Sequence, residues 1–162
     1  MEIDYSKIDE GVRDLVHILN DIPFVETVAS CEGHLRFDCG FPGIHPDKGC
    51  GFLYDGNMLF NMDESHPESK DFIKDVKRLE NKYCFVDFAS PDDDIDYYTL
   101  FVDQSDLTQE DTINDNDSFK TMIRKRHQVP IEVGEKRVKD YKQVWSDFIE
   151  IAKKYVVKSD SK

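Results

Sequence analysis

The 162 residues are enough for one domain with a sizeable core and marginal for two. Hydrophobic residues make up 39% of the chain and charged residues 34%, with a net charge of −13. This balance suits a soluble globular protein and argues against broad binding to a nucleic-acid duplex, which needs Lys and Arg gathered on one face. No run of 18 apolar residues exists, so neither a membrane-spanning helix nor a membrane partner is expected.

The first residues, Met1-Glu2-Ile3-Asp4, lack the basic-then-apolar pattern of a secretory leader, so a cytoplasmic protein is expected. In that compartment the four cysteines are expected to be thiols or metal ligands rather than disulfides. Charge is uneven along the chain: residues 1–119 carry 9 basic and 28 acidic groups, and residues 120–162 carry 12 and 6.

Ile8, Val12, Leu15, Val16 and Leu19 recur at helical spacing, with Ser6 and Asp9 placed as an N-terminal cap, which predicts a first helix over 7–20. Pro23 ends it, and the β-branched run from Phe24 to Ala29 predicts a strand. Residues 35–51 read as a long loop broken by Gly40, Pro42, Gly43, Pro46, Gly49 and Gly51. Gly51–Tyr54 and Asn57–Met62 flank Asp55-Gly56, a dipeptide that favours the primed turn of a hairpin.

Ser65 and Glu68 have capping-box spacing ahead of Phe72, Ile73, Val76, Leu79 and Tyr83, predicting a second helix over 67–82. Cys84–Ala89 and Tyr97–Val102 predict two strands joined by an acidic turn at Pro91–Asp94. Ten acids and no base lie between Asp92 and Asp117, marking a solvated edge, with 104–117 as a flexible acidic loop. The Asp92–Asp96 cluster lacks the spacing of an EF-hand loop, so calcium is not expected there. A short basic-ended helix is predicted over 118–127, and a strongly amphipathic one over 135–157, from Val138 to Val156. The expected fold is α+β: a single domain over 1–162 with one mixed or antiparallel sheet of about four to five strands.

Three kinds of chemistry centre on Ser30-Cys31-Glu32-Gly33-His34, where a thiol, a carboxylate and an imidazole surround one glycine. The first is a metal site, with Cys31, His34, Cys39, His45 and Cys50 as candidate zinc ligands within twenty residues. The second is thiol catalysis, with Cys31 as nucleophile, His34 or His45 as base and the Gly33 amide near an oxyanion. The third is a pocket for a small, nucleotide-like ligand, shaped by Ser30, Cys31, Glu32, Gly33 and His34. Arg36, Arg124 and Arg126 are its candidate anion contacts, and Tyr54, Tyr97, Tyr98 and Trp145 its candidate stacking rings. An acidic module docking on a basic protein through residues 92–117, with zinc holding the 31–50 loop, or association with a second copy, is the interaction-class alternative.

The segment Thr27-Val28-Ala29-Ser30-Cys31-Glu32-Gly33-His34, preceded by a helix, resembles the tRNA wybutosine-synthesising methyltransferase family, whose pattern is Ser-Ser-Cys-x-Gly-Arg at the end of the first strand. Ala29 and His34 stand where that pattern has Ser and Arg, and the Ser-Cys-x-Gly-His form also looks like that of short bacterial and phage proteins. The resemblance covers residues 8–34. It implies an α+β fold, S-adenosylmethionine as cofactor and methylation of a modified guanosine in tRNA.

Overall fold

The computed structural model describes residues 2–92 and 95–157, with side chains placed outside 89–96. Four helices and two antiparallel sheets make a mixed α+β fold. The first sheet has the order β1-β4-β6-β5, built from β1 (Val25–Cys31), β4 (Gly56–Met62), β5 (Cys84–Asp92) and β6 (Ile95–Val102). The second has the order β2-β3-β7, built from β2 (Leu35–Arg36), β3 (Cys50–Leu53) and β7 (Gln128–Pro130).

The helices form where apolar residues recur on one face. In α1 (Glu10–Asn20) those are Val12, Leu15, Val16 and Leu19, all buried. Phe72 and Val76 anchor α2 (Ser69–Lys77), while Tyr141, Val144, Trp145, Phe148 and Ala152 line the buried stripe of α4 (Ile131–Lys153). These residues share one core with Met58 and Phe60 of β4, Val86 of β5 and Leu100 and Val102 of β6. Burial alternates along β4, so one sheet face meets the helices. The fourth helix, α3 (Phe119–His127), has no buried residue and starts from a Ser118 cap that accepts from the Thr121 amide.

The predicted hairpin at Asp55-Gly56 is not formed. Its two strands exist, but β3 pairs with β2 and β7, whereas β4 pairs with β1 and β6. Instead of bonding across a turn, the Tyr54 amide donates to the His34 carbonyl at 2.8 Å. Gly56 has no positive φ; it is small because a Cβ there would stand 2.7 Å from Cζ2 of Trp145 and 3.1 Å from the Glu32 carbonyl oxygen. Close packing, not turn geometry, requires this glycine.

Several element ends also differ from expectation. The helix predicted from residue 7 splits into a 3-10 turn at Tyr5–Lys7 and α1 from Glu10, because Asp4 rather than Ser6 caps the turn through the Ser6 amide. At α2 the Ser65 hydroxyl donates to Asp63 rather than capping, and the helix spans Ser69–Lys77. The first strand runs on to Cys31, with a β-bulge between Thr27 and Ala29 that leaves Val28 exposed. Residues 35 and 36, expected in the loop, form β2.

Four residues ahead of its predicted start, α4 begins at Ile131, directly after Pro130. Gly134 lets its first turn approach Leu35, whose Cδ1 would lie 2.7 Å from an added Cβ. The β5–β6 pairing matches the predicted strand pair; of the predicted acidic turn, residues 91 and 92 belong to β5, and residues 93 and 94 lie outside the described residues. Residues 104–117 contain two 3-10 turns, Ser105–Leu107 and Glu110–Thr112, held by Arg137 on Asp106 and by Lys125 on Asp117.

Candidate functional site

The site is assembled where β1 ends and the chain turns toward β2. Gly33 has φ +85°, a left-handed conformation that favours glycine, and the carbonyls on either side of it are pinned. The Trp145 indole N–H donates to the Glu32 carbonyl at 3.0 Å, and the Tyr54 amide holds the His34 carbonyl. With the backbone fixed on both sides, the Glu32 and His34 side chains are presented on a rigid support.

The other wall is the start of α1. Glu32 Oε2 accepts from the Gly11 amide at 2.7 Å, so a carboxylate from another element satisfies a free N–H of the helix and meets its positive end. Gly11 permits this approach, since a Cβ there would stand 1.9 Å from Oε2. Asp9, the residue preceding α1, does not cap the helix with its side chain. Its Oδ2 instead accepts from the Glu32 amide at 3.1 Å and lies 3.1 Å from His34 Nε2. His34 Nδ1 is 3.6 Å from Glu32 Oε1, which places the imidazole between two carboxylates. Burial pushes the Asp9 carboxyl upward, but the Glu32 amide and His34 outweigh it and leave its pKa below the ordinary value.

Cys31 completes the cluster: one ligand atom each from Asp9, Cys31 and His34 lie within 4.8 Å of one another. Burial pushes the thiol up, the Gly33 amide opposes this, and the Asp9 and Glu32 carboxylates add to the rise. An activated nucleophile needs the opposite, an electropositive setting, so the surroundings of Cys31 oppose the thiol-catalysis alternative.

Beside this cluster lies an open groove of about 590 Å³, between the start of α1, the Glu32–Leu35 turn and α4. Glu10, Glu32 and Glu135 bring negative charge to it, and Lys139 and Lys142 bring positive charge. Glu32, Gly33 and His34 of the predicted pocket line it. Ser30 does not; it borders a separate hollow with Ile3, Lys7 and Ile8. Arg36 is exposed on β2, Arg124 donates to the His45 carbonyl, and Arg126 pairs with Glu110 at 3.7 Å, so none of the three predicted anion contacts lines the groove.

Of the five predicted zinc ligands, only Cys31 and His34 come together. Cys39 turns its thiol toward the carbonyls of Phe41 and Ile44, His45 is exposed, and Cys50 sits in β3. Among the described residues, no three-ligand group includes Cys39, His45 or Cys50. Of the rings proposed for stacking, Trp145 and Tyr98 belong to the core, and Tyr54 stacks on His127 with centroids 4.7 Å apart. Asp9, Gly11, Glu135, Lys139 and Lys142 were not anticipated. The last three share one face of α4 at steps of four and three, a pattern that marks a face without saying what it meets.

Among the described residues no helix is long and apolar enough to cross a membrane. No family model and no curated protein matches the chain. Its fold is similar to that in the structure of the PH1069 protein from Pyrococcus horikoshii, with a TM-score of 0.54 and 10% identity, over 90% of this chain and 83% of that one. At that identity the likeness shows a shared fold alone.

Proposed function

We propose that this chain binds a small, nucleotide-like molecule in the groove between the Glu32–Leu35 turn, α1 and α4, and acts by sequestering or sensing it. The observation that carries this is the groove itself: about 590 Å³, open to solvent, on a turn whose backbone is fixed by Trp145 and Tyr54. Its size lies in the range of small-molecule sites. Three glutamates and two lysines lining one groove favour a ligand with both positive and negative groups over a polyphosphate, which the carboxylates would repel.

Isothermal titration of the whole chain against nucleosides, nucleoside mono- and triphosphates and S-adenosylmethionine tests this. Saturable binding that weakens about tenfold in Lys139→Ala or Lys142→Ala supports the groove. No heat across the panel from folded protein rejects it.

The same mixed charge also supports an enzymatic reading, an S-adenosylmethionine-dependent methyltransferase acting on an RNA base. That ligand pairs a cationic sulfonium with an amino-acid zwitterion, and the groove offers the carboxylates of Glu10, Glu32 and Glu135 and the ammonium groups of Lys139 and Lys142 to meet them. Transfer of a labelled methyl group to RNA distinguishes turnover from binding alone.

A further inference from the structure

Asp9, just ahead of α1, meets Cys31 at the end of β1 and His34 in the turn after it, although more than twenty residues separate it from either. Their donors are one carboxylate oxygen, one thiol sulfur and one imidazole nitrogen. A mixed O, S, N set of this kind suits a borderline transition metal rather than magnesium or calcium, which take oxygen ligands. We propose that these three side chains form an open divalent-metal site of the zinc type, with the fourth position left for water or a ligand donor. This assignment is independent of which molecule occupies the groove.

The distances are close to what such an ion needs. Tetrahedral bonds of about 2.0–2.1 Å to nitrogen and oxygen set those two donors about 3.3 Å apart. His34 Nε2 and Asp9 Oδ2 are 3.1 Å apart. A sulfur at about 2.3 Å from the metal would lie about 3.6 Å from the other donors, so a small side-chain rotation within the 4.8 Å cluster completes the triangle.

The surroundings have the form that metal-bound histidines require. A ligating imidazole passes its other N–H to a carboxylate, which fixes its tautomer and orientation. With Nε2 on the metal, His34 Nδ1–H faces Glu32 Oε1 at 3.6 Å, and Glu32 is itself held by the Gly11 amide through Oε2. Asp9 Oδ2 is steadied by the Glu32 amide. On binding, the Cys31 thiol gives its proton to solvent and the neutral imidazole keeps its proton on Nδ1. The metal therefore meets one thiolate, one carboxylate and one neutral imidazole, and its two positive charges are balanced.

Cobalt(II) titration of the full, reduced chain tests the assignment, because a thiolate ligand produces a sulfur-to-cobalt charge-transfer band. The expected result is one ion per chain, with the band lost in Cys31→Ser and kept in Cys39→Ser and Cys50→Ser. Asp9→Asn and His34→Gln should weaken binding at least tenfold, and Glu32→Gln by about 10–100-fold. Should a variant fail to fold by circular dichroism, the wild type suffices: zinc should slow alkylation of Cys31 and leave Cys39 and Cys50 unchanged. Absence of saturable binding, a band that survives Cys31→Ser, unaltered affinity in Asp9→Asn, or zinc protection of Cys39 or Cys50 in place of Cys31 each overturns it.

Discussion

Gly33 lies flush against the ring of Tyr141: a Cβ added to it would stand 2.4 Å from Cδ2 and 2.6 Å from Cε2. Tyr141 is fully buried in the core, so the ring has nowhere to retreat. The turn that carries Glu32 and His34 is thereby seated on α4.

Gly33→Ala is therefore expected to cost about 2–5 kcal/mol, combining a left-handed backbone strain of about 1–2 with overpacking of about 1–3. Gly40→Ala is the control, because Gly40 also has a positive φ but nothing within 4 Å of its Cβ position. It should cost only the strain. Urea denaturation of the two variants reads the difference, and equal losses would show that the Tyr141 contact contributes nothing.

Removing the Trp145 indole donor tests the second anchor of the turn. Trp145 is buried and its N–H is spent on the Glu32 carbonyl. Trp145→Phe should destabilise by about 1–3 kcal/mol from the orphaned carbonyl alone, with a further loss from the smaller ring. Equilibrium unfolding gives the total, and amide exchange at Gly33 and His34 should accelerate relative to the β4–β6 ladder.

Arg137 and Asp106 tie the acidic segment after β6 to α4. The guanidinium is 5% exposed, donates to both Asp106 oxygens at 2.8 and 2.7 Å and to the Asp103 carbonyl, and lies 4.1 Å from the Tyr83 ring centroid. Asp106→Ala leaves that buried cation short of its partner and should cost about 2–4 kcal/mol. Arg137→Met combined with Asp106→Ala should cost less than the sum of the single changes, which a double-mutant cycle measures. Hydrogen bonding from Arg137 holds the Asp106 pKa below its ordinary value. Its stabilisation is present above the unfolded carboxylate range and disappears as pH falls through the depressed value.

Asp55 works with the opposite sign. Its side chain reaches solvent, yet partial desolvation and the facing Asp103 push its pKa up to about 6. Between about 4 and 6 the folded chain holds this proton more tightly than the unfolded chain, so the contribution of Asp55 to stability falls as pH rises through that window. Asp55→Asn should remove the fall and leave the variant more stable than wild type above pH 6, by about 1 kcal/mol, with solvent screening limiting the effect. Thermal melts of both proteins across that range check it, and a constant difference at all pH values would contradict it.

Local pattern was enough to mark which segments bury an apolar face. The stripes at Val12, Leu15, Val16 and Leu19 and along α4 are three- and four-residue repeats, which tertiary contacts refined only at the ends. The β5–β6 pairing was legible for the same reason, since adjacent β-branched and aromatic runs joined by a short turn meet each other first. The hairpin at Asp55-Gly56 carried an equally clear local signal and does not exist. Its strands find better partners in β1, β2, β6 and β7, and Gly56 is required by Trp145.

The place of the candidate cluster along the chain, at the end of the first strand, was likewise legible in Ser30-Cys31-Glu32-Gly33-His34. Its composition was not. Asp9, Gly11, Lys139 and Lys142 reach it only because α1 and α4 pack beside the turn, and spacing within one segment carries no information about such distant neighbours. Cys39, His45, Cys50, Arg124 and Arg126 suit the chemistry by residue type, but the folded chain places them away from the Asp9, Cys31 and His34 cluster. By itself the sequence marked the four helices and the strands β1, β3, β4, β5 and β6; β2, β7 and the donors that converge on His34 were decided by long-range packing, because only the folded chain brings α1, the Glu32–Leu35 turn and α4 together.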